Sequence, residues 1–162
     1  ARSDVHVLPN APTSYLKKNV WVDTVVFSNH QLETLPIWEL LFTKMPEESR
    51  KIATERLKWS LKYQKKHGIV SAEAKDLPKD LEKRIRDTCK RVYRTLMLSG
   101  YARIDLRLSD SGAISVIEAN PNPQLSRDED FAESADKAGV TYPELIQRIV
   151  NLGLRWEPTR WG

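Results

Sequence analysis

The chain has 162 residues, enough for one domain with a real hydrophobic core and too few for two domains of ordinary size. Its formal net charge of +4 suits an anionic ligand, but no Lys/Arg run is interleaved with aromatic residues, which argues against nucleic acid as a partner. No apolar run reaches membrane-spanning length and no signal peptide opens the chain, so we expect a soluble, cytoplasmic protein without membrane partners.

The first third of the chain predicts strands after an irregular segment, residues 1–19, which has prolines but no sustained period. Residues 20–27 are rich in Val, Trp and Phe and predict a strand. Asn29 and His30 predict a turn. A short apolar run, residues 32–35, then meets Pro36, which should confine that piece to a sheet edge or end it, and residues 37–42 predict a further short strand.

Residues 47–68 give a mixed signal. Their helix formers and the terminator Gly68 favour a helix, whereas their apolar residues keep partly to alternation. From Pro78 to Gly100 the pattern is clear, because apolar residues recur at helical spacing: Leu81, Ile85, Cys89, Val92 and Leu96. Cys89 is the single cysteine, so it excludes an internal disulfide and is expected to be a core thiol.

The stretch from residue 101 to residue 123 predicts a β-hairpin. In its first strand, three polar residues alternate with three apolar ones: Arg103, Asp105 and Arg107 with Ile104, Leu106 and Leu108. Residues 109–112, Ser-Asp-Ser-Gly, form a turn signal, and residues 113–119 predict the second strand, which carries Glu118. Neither Pro121 nor Pro123 has a backbone N–H, so the strand should stop abruptly after Asn120.

The predicted register decides which side chains meet. If Leu108 faces Ala113, Arg103 lies opposite Glu118 and Asp105 lies opposite Val116. Four polar residues then share one face, namely Arg103, Asp105, Glu118 and Asn120. The other face takes Ile104, Leu106, Ile117 and Ala119. A one-residue slip or a bulge would separate these two sets.

Two carboxylates, an amide oxygen and a guanidinium on one face suit Mg²⁺ with a cation beside it, an arrangement that can hold a polyphosphate. The site would lie where the second strand breaks into a loop, which is a common place for functional residues. The alternative interpretation is a solvated polar face with a cross-strand pair between Arg103 and Glu118.

The last third predicts two helices, each preceded by a capping box. Residues 126–129 should open a short helix with Phe131 and Ala135 inward and Gly139 at its end. Residues 141–144 should open the final helix, which buries Leu145, Ile149 and Leu152. Residues 156–162 predict a tail whose Trp156 and Trp161 fold back onto the body.

Three segments in order carry a family resemblance: residues 100–105 (GYARID), 116–123 (VIEANPNP) and 138–146 (AGVTYPELI). Together they resemble the C-terminal part of an ATP-grasp ligase of the D-alanine–D-alanine ligase type. Residues 26–29 with the Leu-Pro at 35–36 resemble the family's strand-turn-strand, and residues 56–59 (RLKW) resemble its segment with a phosphate-binding lysine.

The resemblance implies a site for ATP and Mg²⁺ or Mn²⁺. In it, Asp105, Glu118 and Asn120 hold the metal ions, Asn120 also binds the cofactor, and Lys58 contacts the γ-phosphate. Arg103 stabilises charge developing on the transferred group. Such enzymes phosphorylate a small carboxylate and let an amine attack the acylphosphate, which asks the protein mainly for positioning and charge neutralisation.

Three departures from the family are visible. The family's second ATP-clamping lobe has no counterpart in a chain of this length, Val20 and Trp21 stand where relatives have an acidic residue for the ribose, and residues 121–124 replace a glycine-containing loop. The sequence therefore predicts one α+β domain, residues 1–162, an antiparallel sheet with helices packed on one face. We expect it to be catalytically incomplete by itself. The alternatives are a non-catalytic interaction module, or half of a site completed by self-association or a partner chain.

Overall fold

The computed structural model describes residues 18–27, 31–44, 60–75 and 77–156. These residues form five strands and four helices in the order β1 (Lys18–Phe27), β2 (Gln31–Phe42), α1 (Leu61–His67), β3 (Ile69–Glu73), α2 (Lys79–Thr95), β4 (Tyr101–Leu108), β5 (Ile114–Asn120), α3 (Asp130–Lys137) and α4 (Tyr142–Leu154). The strands pair antiparallel in one sheet of order β3-β2-β1-β4-β5. The α+β class with an antiparallel sheet is confirmed.

Strand β2 decides between the two outcomes predicted for Pro36, an edge position or the end of the strand. The strand runs without a break from Gln31 to Phe42, so Pro36 does not end it. Strand β3 pairs only with Trp38–Phe42, so the segment around Pro36 has β1 as its only strand neighbour among the described residues, which is the edge position that the prediction allowed. The register shifts here, with Val22 opposite Ile37 but Thr24 opposite Thr34, so two β2 residues face one β1 residue. A bulge interrupts the ladder, which is where a residue without an N–H is tolerated.

Strand β1 begins at Lys18, slightly inside the segment expected to be irregular. The turn expected at Asn29 and His30 lies outside the described residues, as do residues 1–17.

The mixed segment resolves into α1 followed by β3. Ser60 Oγ accepts a hydrogen bond from the Tyr63 backbone N–H at 3.2 Å, and Gly68 ends the helix in the left-handed conformation with φ 58°. The terminator role of Gly68 is confirmed. Strand β3 begins immediately after it and was not predicted, because five residues are too few to show a clear period. Residues 45–59, which include Lys58, lie outside the described part of the chain.

Helix α2 packs on the apolar face of the sheet. Its Ile85 and Cys89 are fully buried against Ile104 and Leu106 of β4, which confirms the helical stripe and the core thiol. Leu96, predicted to continue the stripe, is instead 51% exposed.

The helix stops at Thr95 because Met97 takes a positive φ of 52° and Leu98 N–H bonds back to the Tyr93 carbonyl at 3.0 Å. Helix α2 therefore ends earlier than the sequence pattern up to Gly100 predicted.

Helices α3 and α4 form a second cluster around Leu35 of β2 and Tyr101 at the start of β4. Phe131 and Ala135 are buried as predicted, and the Tyr101 and Phe131 rings meet edge to face at 5.6 Å. Helix α2 thus packs on one face of the sheet as expected, and α3 and α4 pack around Leu35 and Tyr101.

The two predicted capping boxes have different outcomes. At the second one, the Thr141 backbone N–H and hydroxyl donate to the Glu144 carboxylate at 2.9 and 2.8 Å, and Leu145 is buried behind it. At the first one, the prediction is wrong: Glu129 N–H donates to the Ser126 carbonyl in a turn, and α3 starts only at Asp130.

The tail prediction is wrong for Trp156, which is 60% exposed, while Trp161 lies outside the described residues. None of the described helices combines the length and apolar character needed to cross a membrane.

Candidate functional site

The predicted polar residues meet on β4 and β5, although through a different register. Arg103 lies opposite Asn120 and Asp105 lies opposite Glu118, whereas the sequence predicted Arg103 opposite Glu118. The predicted register is therefore wrong. Because directly opposed residues of an antiparallel pair project to the same side, all four still share one face of the sheet, here called the polar face.

The four polar residues still lie on one face because two changes of register add up. Near the turn Leu108 pairs with Ile114 instead of Ala113, a slip of one residue. A second shift falls between Asp105 and Leu106, where Ile117 has no partner in the ladder. Side chains alternate with a period of two, so beyond the bulge the total displacement of two returns Glu118 and Asn120 to their predicted side. Before the bulge the displacement is one, which moves Ile114 and Val116 to the apolar side, opposite Leu108 and Leu106. Ile117, expected among the apolar set, is 58% exposed in the bulge.

Arg103 and Asp105 form an ion pair along the same strand. Arg103 Nε donates to Asp105 Oδ1 at 2.9 Å and Nη2 reaches Oδ2 at 3.4 Å, and the two side chains are 23% and 27% exposed. The guanidinium thus holds the carboxylate from the side, in a partly solvated setting. Glu118 is more exposed and lies directly across the strand from Asp105.

Asn120 is fixed by the loop that follows it. Its Oδ1 accepts the backbone N–H of Asn122 at 2.9 Å, an Asx turn that ends β5 in the Pro-containing loop, as predicted. An amide oxygen has two lone pairs, so one remains for a second partner. The turn therefore sets the direction of this oxygen without using its capacity as a ligand.

The donor chemistry of the polar face fits a hard divalent cation. Mg²⁺ binds carboxylate and carbonyl oxygens and keeps several waters, so it needs only one or two carboxylates from the protein. Asp105 and Glu118 supply two and Asn120 an amide oxygen. Within the described ranges, no group of three or more His, Cys, Asp or Glu side chains is placed to hold a metal. Lys58, predicted to contact phosphate, lies outside the described residues, so its position relative to this face stays a prediction.

Comparison with known families and proteins decides the relationship. The family model described as "D-ala D-ala ligase C-terminus" matches residues 26–151. The chain belongs to this D-alanine–D-alanine ligase C-terminal family. Its resemblance to an ATP-grasp ligase of this type is thereby confirmed.

Relatives of this ligase C-terminus are longer proteins. A D-alanine–D-alanine ligase of Shouchella clausii is 30% identical over 96 residues, covering 59% of this chain and 26% of the relative. The vancomycin/teicoplanin A-type resistance protein VanA of Enterococcus faecium is 35% identical over 89 residues, covering 55% of this chain and 26% of the relative. The chain therefore spans about a quarter of the length of these curated relatives.

A solved structure gives the same relationship in three dimensions. The D-alanine–D-alanine ligase from Bacillus anthracis, complexed with ATP, matches with a TM-score of 0.62 and 25% identity. The match covers 87% of this chain and 40% of that ligase.

Sequence reasoning missed part of the polar face of this ligase C-terminus. The strand register forms one row across the sheet, in which Glu73, Trp38, Trp21, Asp105 and Glu118 stand on consecutive strands. The row was not predicted because β3 was not recognised and β2 was divided at Pro36. Arg107 shares the face by alternation and is buried, and burial lowers the pKa of its guanidinium. The alternation of Arg103, Asp105 and Arg107 was the available signal for it.

Proposed function

We propose that this chain is the Mg·ATP-binding part of an ATP-dependent ligase that joins a small carboxylate to an amine through an acylphosphate. The observation that carries the proposal is the placement of Asp105 directly opposite Glu118. Two residues further along each strand, Arg103 lies opposite Asn120. Family membership and the likeness to a ligase solved with ATP support this choice of ligand.

In this proposal the polar face holds the metal-bound phosphates. Asp105, Glu118 and Asn120 offer oxygens from two adjacent strands, and the Asx turn at Asn122 keeps the amide oxygen oriented. Bound Mg²⁺ supplies neutralisation of the negative charge on the phosphate oxygens. Arg103 is the catalytic cation. Its Nε lies 2.9 Å from Asp105 Oδ1, which places the guanidinium beside the metal carboxylates, where it can donate to an anion.

Lys58 completes the proposed set as the contact for the terminal phosphate. Its role rests on the resemblance of residues 56–59 to the family's lysine-bearing segment. A lysine acts there as a point charge, which can follow a phosphate as it transfers.

A second candidate function is a non-catalytic binding module that keeps the fold, or half of a site completed by another chain. It is favoured by the ion pair itself, since a guanidinium held by two contacts already neutralises the carboxylate that a metal would need. The two functions differ in what the polar face binds. A module without metal chemistry has no reason to couple the binding of a divalent cation to that of a nucleotide.

Titration calorimetry with Mn²⁺, ATP and both together tests the proposal. We expect each ligand to tighten the binding of the other, because the cation and the phosphates share oxygens and charge. Glu118→Gln should weaken Mn²⁺ binding at least about tenfold, since the metal loses a charged oxygen while the side-chain shape is kept.

The matched control is Glu129→Gln, the same change at an exposed carboxylate whose side chain makes no capping hydrogen bond. It should leave Mn²⁺ affinity unchanged. Equal affinity in wild type and Glu118→Gln, or binding without coupling, would instead favour the non-catalytic module.

A further inference from the structure

Trp38 lies in the middle of β2, on the same face of the sheet as the candidate site. Its register partner in β1 is Trp21, which is in turn opposite Asp105, so Trp38 stands two strands from the proposed metal carboxylates. Its partner on the other side is Glu73 of β3. With neighbouring strands about 4.8 Å apart, the Cα atoms of Trp38 and Asp105 are separated by roughly 10 Å across the sheet.

The indole N–H of Trp38 is a buried hydrogen-bond donor. The residue is only 4% exposed, and Nε1 is buried. Among the residues that the structure describes, no group accepts a hydrogen bond from it. Buried tryptophan N–H groups normally have an acceptor, and leaving one without a partner is costly. Such a donor is suited to an acceptor that arrives from outside the described chain.

The proposed function limits which part of a ligand can supply that acceptor. If Asp105 and Glu118 hold the metal-bound phosphates, the phosphate oxygens are committed at the far end of the row. The part of a nucleotide that lies a further two strand spacings away is the nucleoside, whose ribose oxygens and ring nitrogens are acceptors. A phosphate oxygen would have to leave the metal to reach Trp38.

We propose that the Trp38 indole N–H donates a hydrogen bond to the nucleoside part of the nucleotide bound on the polar face. This inference rests on the proposed function and adds to it a residue that distinguishes a nucleotide from a bare polyphosphate. Trp38 contributes affinity for the nucleoside, while Asp105 and Glu118 contribute affinity for the phosphates.

One rival acceptor lies within the chain. Glu73 is the cross-strand partner of Trp38 and is partly exposed. Because it is the neighbour across the strand pair, its carboxylate is a candidate acceptor for the indole N–H. If Glu73 accepted the N–H in solution, Trp38 would be satisfied before any ligand bound. In that case Glu73→Ala would change the Trp38 indole resonance of the ligand-free protein, and ATP would not.

The test compares Mg·ATP with Mg·tripolyphosphate, which offers the phosphates without a nucleoside. In wild-type protein the indole ¹H–¹⁵N resonance of Trp38, identified by its loss in Trp38→Phe, should move downfield with Mg·ATP and stay in place with Mg·tripolyphosphate. The exposed Trp156 serves as the internal control and should not respond to either. This measurement needs no variant to be as stable as the wild type.

Calorimetry then gives the size of the contact. Trp38→Phe should weaken Mg·ATP binding about 3- to 10-fold, the range of one neutral hydrogen bond, and leave Mg·tripolyphosphate binding unchanged. Glu118→Gln should weaken both ligands.

If wild type binds both ligands and the Trp38 resonance responds to neither, or equally to both, the nucleoside contact is wrong while the proposed function stands. If wild type binds neither ligand, both are wrong.

Discussion

On one face of the β4–β5 hairpin, Ile104 and Leu106 are almost completely buried against Ile85 and Cys89 of α2. On the other face, Arg103 and Asp105 of the same strand are about a quarter exposed and hold each other through two contacts. Alternate residues of one strand thus belong to two different kinds of structure. The apolar face is stabilised by burial that depends little on the partner's identity, whereas the polar face depends on which atoms meet.

The difference shows in how each face responds to a change of register. An apolar side chain moved by two positions along its neighbour still meets apolar atoms. A polar residue moved by two positions acquires a new partner, and here Asp105 gains Glu118 where Val116 was expected. The apolar face therefore defines the fold, and the register within it defines the chemistry of the site.

The largest effect should come from the apolar face. Ile85→Ala removes a fully buried side chain and should lower the free energy of unfolding by about 2–5 kcal/mol, measured by urea denaturation. Leu96→Ala is the matched control at the C-cap of the same helix, because Leu96 is half exposed, and it should change the free energy of unfolding by no more than about 0.5 kcal/mol. Equal urea midpoints for the two variants would remove α2 from the core.

A smaller loss of stability is expected from a substitution on the polar face. The same substitution should change the affinities for Mn²⁺ and for Mg·ATP in opposite directions. Arg103→Gln should cost only about 0.2–1 kcal/mol, because the ion pair is partly solvated. It should also tighten the binding of Mn²⁺ alone several-fold, since a competing cation leaves Asp105, and weaken Mg·ATP, which loses a cation beside its phosphates.

Arg91→Gln controls for net charge, as an exposed arginine on α2. It should change neither affinity. If Arg103→Gln weakened Mn²⁺ as well, the arginine would be supporting the metal carboxylate instead of competing for it.

The smallest expected effect concerns an exposed carboxylate outside the polar face, that of Glu144. Hydrogen bonds from Thr141 lower the pKa of Glu144 below its ordinary value. A carboxyl group whose pKa is lower in the folded state contributes stability above its unfolded pKa and loses it as pH falls through its folded value. The difference in melting temperature between wild type and Glu144→Gln should therefore be present at pH 7 and vanish in acid. At pH 7 this difference should exceed the one for Glu129→Gln, the same change at an exposed carboxylate without a capping hydrogen bond.

Periodicity and end signals predicted those parts of the fold that depend on one segment alone. The stripe with Ile85 and Cys89, the terminator Gly68 and the capping box at Thr141 were all recognisable, because each is a property of a few neighbouring residues. The same logic failed at Ser126. That segment has the same spacing of Ser and Glu, but its backbone closes a turn first and the helix starts at Asp130.

Features that depend on two segments were harder to predict. Pro36 lies within a continuous strand at a bulge against β1, and β3 pairs only with the later part of β2; neither feature can be seen from β2 alone. The pairing of Asp105 with Glu118 similarly depends on the bulge at Ile117. The choice of Asp105, Glu118 and Asn120 as one face was predictable from alternation, but their individual partners were not.

Cys89 offers a way to watch the apolar interface open. It is the single cysteine of the chain and is fully buried between α2 and the sheet, so a thiol reagent can reach it only when α2 separates from the strands or the chain unfolds. When opening and closing are fast compared with the reaction, the rate of modification reports the free energy of that opening. Adding urea would separate a local departure of α2 from global unfolding, because only the rate of global unfolding rises steeply with denaturant. One sulfur atom thus records how often the core of the resting protein is exposed to water.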